Sequence, residues 1–175
     1  ASDVYKRQIH GGGWAQGDKQ QYDNACALLA SRGFVAATIN YRLAPAKVWP
    51  DQLVDAQLAV RWLRAHAARY QLDTRRLCSW GDSAGAHLAV FLGVLTTIHA
   101  GDEATLLADQ APNTTCVIDA YGPVDLIGPA DPFQAQILQN LLGATYQAAP
   151  ALYRDASPLF LVSAHSPPML IIQGS

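Results

Sequence analysis

The chain has 175 residues, half of them hydrophobic, with 15% charged residues and a formal net charge of −2. That suffices for one domain with a sizeable core. The low charge removes any electrostatic case for nucleic acid or an anionic membrane surface as partner. The longest apolar run, residues 84–98, contains His87 and falls short of the roughly 20 residues that span a bilayer, so it is expected as a buried helix and no membrane span is expected.

In chain order, a charged run, Lys6-Arg7-Gln8, comes first and runs directly into Ile9-His10-Gly11-Gly12-Gly13-Trp14. Residues 19–31 carry Tyr22, Cys26, Leu28 and Leu29 at helical spacing, with Gly33 as a stop. Residues 34–39 are a short continuous apolar run, which suits a strand buried on both faces. A helix is expected over 51–70, opening on Asp51 after Pro50 and gaining arginines later, as a helix dipole prefers. Residues 76–80 and 116–121 read as further buried strands, and 83–98 as a helix apolar on nearly every face. Short helices are expected over 132–144 and 150–154, inside an irregular insert of about 125–157. A last strand, 169–173, follows Pro167-Pro168. Strands alternating with helices imply an α/β fold: a doubly wound, mostly parallel sheet with right-handed crossovers. Cys26, Cys78 and Cys116 lie singly in apolar stretches, so they are expected as core residues rather than disulfides or metal ligands.

Gly81-Asp82-Ser83-Ala84-Gly85 has the form G-x-S-x-G between an expected strand and an expected helix. In that context the pattern signals a nucleophile elbow: a tight turn holds the serine proud of the sheet, and flanking glycines let strand and helix approach. The simpler alternative is an ordinary glycine-rich turn. His10-Gly11-Gly12-Gly13 weighs against that, because consecutive glycines free backbone N–H groups to converge on one point, as a developing oxyanion requires.

HGGGW, GDK, NYRLAP (40–45), AVRWLRAHA (59–67), GDSAGAHLA (81–89) and DAYGPVDL (119–126) occur in an order that resembles the α/β-hydrolase carboxylesterases of the hormone-sensitive-lipase-like and bacterial feruloyl-esterase-like group. The resemblance runs from Ile9 to the end. It implies Ser83 as nucleophile, the amides of Gly12, Gly13 and Ala84 as oxyanion donors, and His10 as a loop anchor rather than a catalytic base. It implies hydrolysis of a small-molecule ester with neither metal nor cofactor. The amidase, arylformamidase and peptidase activities of the same fold, and a non-catalytic binding role, are the alternatives.

A serine nucleophile needs a base and an orienting acid, in the order Ser, Asp or Glu, His in this fold. After Ser83 come only His87, one helical turn on, His99 at the end of the same helix, and His165 before the last strand. None suits the base, and Asp125 is the only in-chain alternative for the acid, its plainer role being a loop cap. The expectation is a domain truncated at both ends, without its catalytic acid and histidine and therefore inactive as given. Within the insert, Phe133, Ile137, Leu141 and Tyr146 are candidates to line a substrate pocket, or else ordinary core and surface.

The opening run does not fit a buried central strand. Lys6 and Arg7 there would cost several kcal/mol each without partners. DVYKRQ is also one reading frame of a transposon end used in sequencing libraries. Residues 1–8 are therefore expected to be non-native, with native sequence beginning near Ile9.

Overall fold

The computed structural model describes residues 5–97, 105–128 and 130–174, with side chains from Gln8 onward. His99 lies outside the described residues. Five parallel strands form one sheet in the order β2-β1-β3-β4-β5: β1 (Tyr5–Ile9), β2 (Val35–Ile39), β3 (Leu77–Asp82), β4 (Cys116–Ala120) and β5 (Met169–Ile172). The helices between them are α1 (Asp23–Ser31), α2 (Asp51–Ala65), α3 (Ala67–Tyr70), α4 (Ala84–Val94), α5 (Pro132–Leu142) and α6 (Pro150–Asp155). This is the α/β-hydrolase arrangement of a parallel sheet flanked by helices.

The slot before the glycine loop is filled by β1, paired on both sides, with Ile9 opposite Ile39 of β2 and Gly81 of β3. Gln8 is buried there, and its side-chain oxygen has no hydrogen-bond partner. Burial of Gln8 leaves its oxygen no water to turn to.

Helix boundaries follow local chemistry. The helix expected over 19–31 divides into a 3₁₀ turn at Lys19–Tyr22, capped by the Asp18 carboxylate on the Gln20 N–H, and then α1. The helix expected over 51–70 breaks at His66. α5 starts at Asp131, whose side chain accepts from Phe133 and Gln134 N–H, has Pro132 in its first turn, and stops at Gly143 in the left-handed region. Arg42 clamps the start of α2 by pairing with Asp51 at 3.3 Å and Asp55 at 3.0 Å.

α4 is the centre of the core. Every residue from Ala84 to Gly93 is buried, as the all-round apolar pattern requires, with the helix held against β1, β3 and β4 and against α2. The Ser79 hydroxyl on β3 donates to the Ala89 carbonyl at 2.8 Å, so the strand and the helix around the G-x-S-x-G turn are tied twice.

One expectation is corrected. Cys78 and Cys116 are register partners on β3 and β4, with Cα atoms 4.5 Å apart, and are joined as a disulfide. Strand adjacency brings together residues that are 38 apart in sequence; no spacing in the sequence encodes that register. Cys26 is a free thiol but only half-buried, on a helix without a buried residue, and so is not the core residue expected. Among the described residues no helix is long and apolar enough to cross a membrane, and no cluster of three His, Cys, Asp or Glu could hold a metal ion.

Candidate active site

Ser83 sits between β3 and α4 at φ 49° and ψ −121°, a region that non-glycine residues rarely adopt. Its N–H donates to the Ala120 carbonyl at 2.9 Å, and its carbonyl accepts from His87 N–H at 3.1 Å. The flanking glycines are sterically required. A Cβ on Gly81 would run into the Gly85 backbone, and one on Gly85 would run into the Ile9 carbonyl. The turn thus wedges α4 against the ends of both β1 and β3.

The glycine loop follows β1. Gly12, Gly13 and Trp14 all have positive φ, at 112°, 59° and 58°. The Gly12 carbonyl closes a turn by accepting from Ala15 and Gln16 N–H, and a Cβ on Gly12 would meet the Gln16 carbonyl. His10 lies behind the loop, buried. Its Nδ1–H donates to the Gly11 carbonyl at 2.9 Å and its ring stacks on Tyr41 at 4.2 Å, while the Tyr41 hydroxyl donates to the His10 carbonyl. His10 braces the loop from behind and does not line the cavity described next.

Ser83, Gly13 and Trp14 share a cavity of about 360 Å³ with Asp125, Leu126, Gln134, Ile137 and Leu138 among its other walls. Gly12 and Ala84 are chain neighbours of two of these residues but are not in the wall. Of the four insert candidates, Ile137 reaches the cavity, and its Cγ2 would lie 3.4 Å from a Cβ on Gly13. Leu141 is fully buried core, Phe133 is exposed, and Tyr146 lines an adjoining cavity of about 210 Å³ with Tyr153. Asp125 lines the first cavity but spends its carboxylate on the Ile127 N–H at 2.9 Å, the cap expected of it.

Among the described residues no histidine lines the cavity. His87 is fully buried: Trp14 Nε1–H donates to its Nδ1 at 3.3 Å, and its Nε2–H donates to the Ala156 carbonyl at 2.8 Å. Burial pushes its pKa down to about 4 from the ordinary 6.5. With both nitrogens engaged it has no free lone pair for a serine. His165 is exposed in the loop before β5, where its backbone N–H caps on Ser163.

Asp82, the second residue of the motif, carries more of the site than the sequence suggests. Its carboxylate accepts from Gly11 N–H at 3.0 Å, from the Tyr22 hydroxyl, and from the Tyr121 hydroxyl at 3.4 Å. The end of β3 and the glycine loop are therefore bonded directly. Burial, then the bond to Asp82, raises the Tyr22 pKa far above its usual value; for Tyr121 the Asp82 charge is the main cause. The sequence hint was an acid at the end of a buried strand, where a charge requires donors.

The match to known proteins follows this geometry. Residues 7–175 match the BD-FAE family model. The chain belongs to the BD-FAE family. It is similar to esterase LipC of Mycobacterium tuberculosis, 31% identical over 172 residues, covering 95% of this chain and 42% of that protein. A truncated carbohydrate esterase from gut microbiota superposes with a TM-score of 0.85 at 27% identity, over 98% of this chain and 66% of that one. Esterase 2 of Thermogutta terrifontis, in a form phosphonylated by sarin, superposes with a TM-score of 0.80 at 26% identity, over 97% and 60%. The BD-FAE chain described here spans 42%, 39% and 40% of the lengths of three curated M. tuberculosis relatives. Its parallel sheet and flanking helices have the α/β-hydrolase fold of these solved esterases.

Proposed function

We propose that this BD-FAE domain supplies the nucleophile and oxyanion hole of a serine carboxylic-ester hydrolase. The observation that carries it is Ser83 at φ 49°, held in the wall of the same cavity as Gly13 of the glycine loop. The Ser83 hydroxyl gives its proton to a general base as its oxygen adds to the ester carbonyl carbon. The amides of Gly12, Gly13 and Ala84 receive the negative charge that develops on the carbonyl oxygen, each contributing roughly 3–4 kcal/mol to the transition state. Collapse breaks the carbon–oxygen bond to the alcohol, which leaves with a proton from the base and leaves an acyl-serine. Water then adds to that acyl group, and the carboxylic acid departs as Ser83 recovers its proton. His10 holds the loop. Ile137, Leu126 and Leu138 supply apolar walls for part of the ester.

The 175 residues as given are proposed to lack the base and the acid. His87 is committed to the core, His165 is capped in a remote loop, and Asp125 caps its own turn. Fluorophosphonate labelling tests both parts. The chain as given is expected to label at background rate. The same domain supplied with a base and an orienting acid is expected to label strongly and to hydrolyse p-nitrophenyl acetate, with both signals abolished by Ser83→Ala. Strong labelling of the chain as given would refute the missing base. Undiminished turnover in Ser83→Ala would refute the nucleophile.

A further inference from the structure

The proposed chemistry has no use for His87, although it lies one helical turn beyond Ser83 and is the most deeply buried histidine that titrates near the site. Its two bonds fix its proton. An indole N–H can only donate, so Nδ1 must be the unprotonated acceptor and Nε2 must carry the hydrogen that reaches Ala156. One bond ends on Trp14 in the cavity wall and the other on Ala156 behind it. Trp14 closes the glycine loop at φ 58°, with its indole buried. Ala156 follows α6, and the adjacent Ser157 hydroxyl accepts from the N–H of Leu126 in the cavity wall at 2.8 Å. His87 itself rides on the nucleophile helix.

We propose that His87 is a positioning residue that holds the oxyanion loop, fixing Trp14, and through it the Gly12 and Gly13 amides, against the helix that presents Ser83. The proposal rests on the esterase reading for its effect on turnover, but its geometric content stands apart. Trp14 and the two glycines occupy three consecutive positive-φ positions. The left-handed conformation of a bulky residue is strained and persists only where the surroundings over-determine it. Trp14 has two such restraints: its carbonyl accepts from Ala44 N–H at 2.8 Å, and its indole donates to His87. Without the second, a buried N–H is left unpaired and the loop gains a reason to relax.

A rigid neutral imidazole is suited to this task because acceptor and donor lie on one ring, held by edge contacts to Trp14, Trp49 and Phe91 at 5.1, 5.4 and 5.1 Å. No charged side chain is among these partners. The acidic group on the β4 side, Asp119, is spent on the Gly122 N–H, with Gly122 lying between it and the His87 backbone.

Two replacements separate this role from mere packing. His87→Asn puts an amide oxygen near the Nδ1 position, keeping an acceptor for Trp14 and giving up Ala156. His87→Gln extends toward the Nε2 position, keeping a donor for Ala156 and giving up Trp14. In the ¹⁵N-labelled chain as given, His87→Gln is expected to shift the Trp14 indole N–H and the Gly12 and Gly13 amides, and His87→Asn to leave them near wild type. Trp14→Phe should move the same glycine amides as His87→Gln. In a hydrolytically active form, His87→Gln is expected to lower kcat by about tenfold or more with little change in KM. His87→Asn should restore most of that loss, and Trp14→Phe with His87→Gln should be no worse than either alone. Melting curves on each variant show whether it folds. Glycine amides unmoved in both His87→Gln and Trp14→Phe would overturn the proposal. So would kcat losses in the Asn and Gln variants that merely track their melting temperatures. Should Ser83→Ala keep its turnover, the esterase reading fails and the spectra alone decide whether His87 holds the loop.

Discussion

His87 stays neutral in the fold because a second ring proton would confront the Trp14 N–H in an apolar cage, and this has a consequence for stability. In the unfolded chain the imidazole protonates below about pH 6.5; in the fold it does so only near 4. Between those limits the unfolded state binds more protons, so stability falls as pH falls, by roughly 3 kcal/mol across the window. Asp119 acts with the opposite sign: burial raises its pKa, so its contribution weakens as pH rises through the range just above an ordinary carboxylate. Denaturant midpoints at pH 7 and 4.5 should therefore differ more in wild type than in His87→Asn, and equal differences would remove His87 as the cause. At this scale the site was half legible. Gly81 and Gly85 are dictated by backbone collisions, so their spacing around Ser83 could be read directly. Asp82 and His87 could not be assigned their roles, because their partners Gly11 and Trp14 lie 71 and 73 residues away and only the closed sheet brings them near.

Among the elements, the interior ones were legible and the pairings were not. Four of the strands announced themselves as apolar runs, but only β3 and β4 are mostly buried as expected, because β2 and β5 form the edges of the sheet; α4 was legible because it is apolar all round. Nothing local encodes that β3 lies beside β4, so the Cys78–Cys116 pairing was missed. β1 is the element whose sequence argues against its place. It runs between β2 and β3, yet Gln8 is buried with an orphaned oxygen. An apolar β-branched residue suits such a buried strand position better than a glutamine with an orphaned oxygen. Replacing the amide removes an unsatisfied acceptor worth about 1–3 kcal/mol, against loss of the Gln8 bond to Tyr22. Gln8→Val should thus raise the urea midpoint of this chain with an unchanged slope. A lower midpoint would mean that the glutamine is accommodated in a way that suits β1.

On the scale of the whole molecule, the sheet is finished unevenly. The middle strands are covered, whereas β5 forms an edge on which Leu170, Ile171 and Ile172 are 56%, 64% and 50% exposed. Leu159, Phe160, Leu161 and Val162 add further apolar surface in the segment leading toward it. An edge strand presents unpaired backbone groups as well as these side chains, and proteins that stay monomeric blunt such edges with charge, proline or a covering element. None of the described residues of β5 is charged. The chain as given should therefore self-associate with rising concentration, the edge supplying the template and the apolar side chains the driving force. Light scattering coupled to gel filtration should show mass increasing with loading. Ile171→Lys, at the most exposed of the three positions, should shift the population toward monomer while changing the unfolding free energy by no more than about 0.5 kcal/mol, as expected for an exposed substitution. A concentration-independent monomer in the wild-type chain would show that the edge is tolerated as it stands, and an unchanged mass in Ile171→Lys would move the contact to another face.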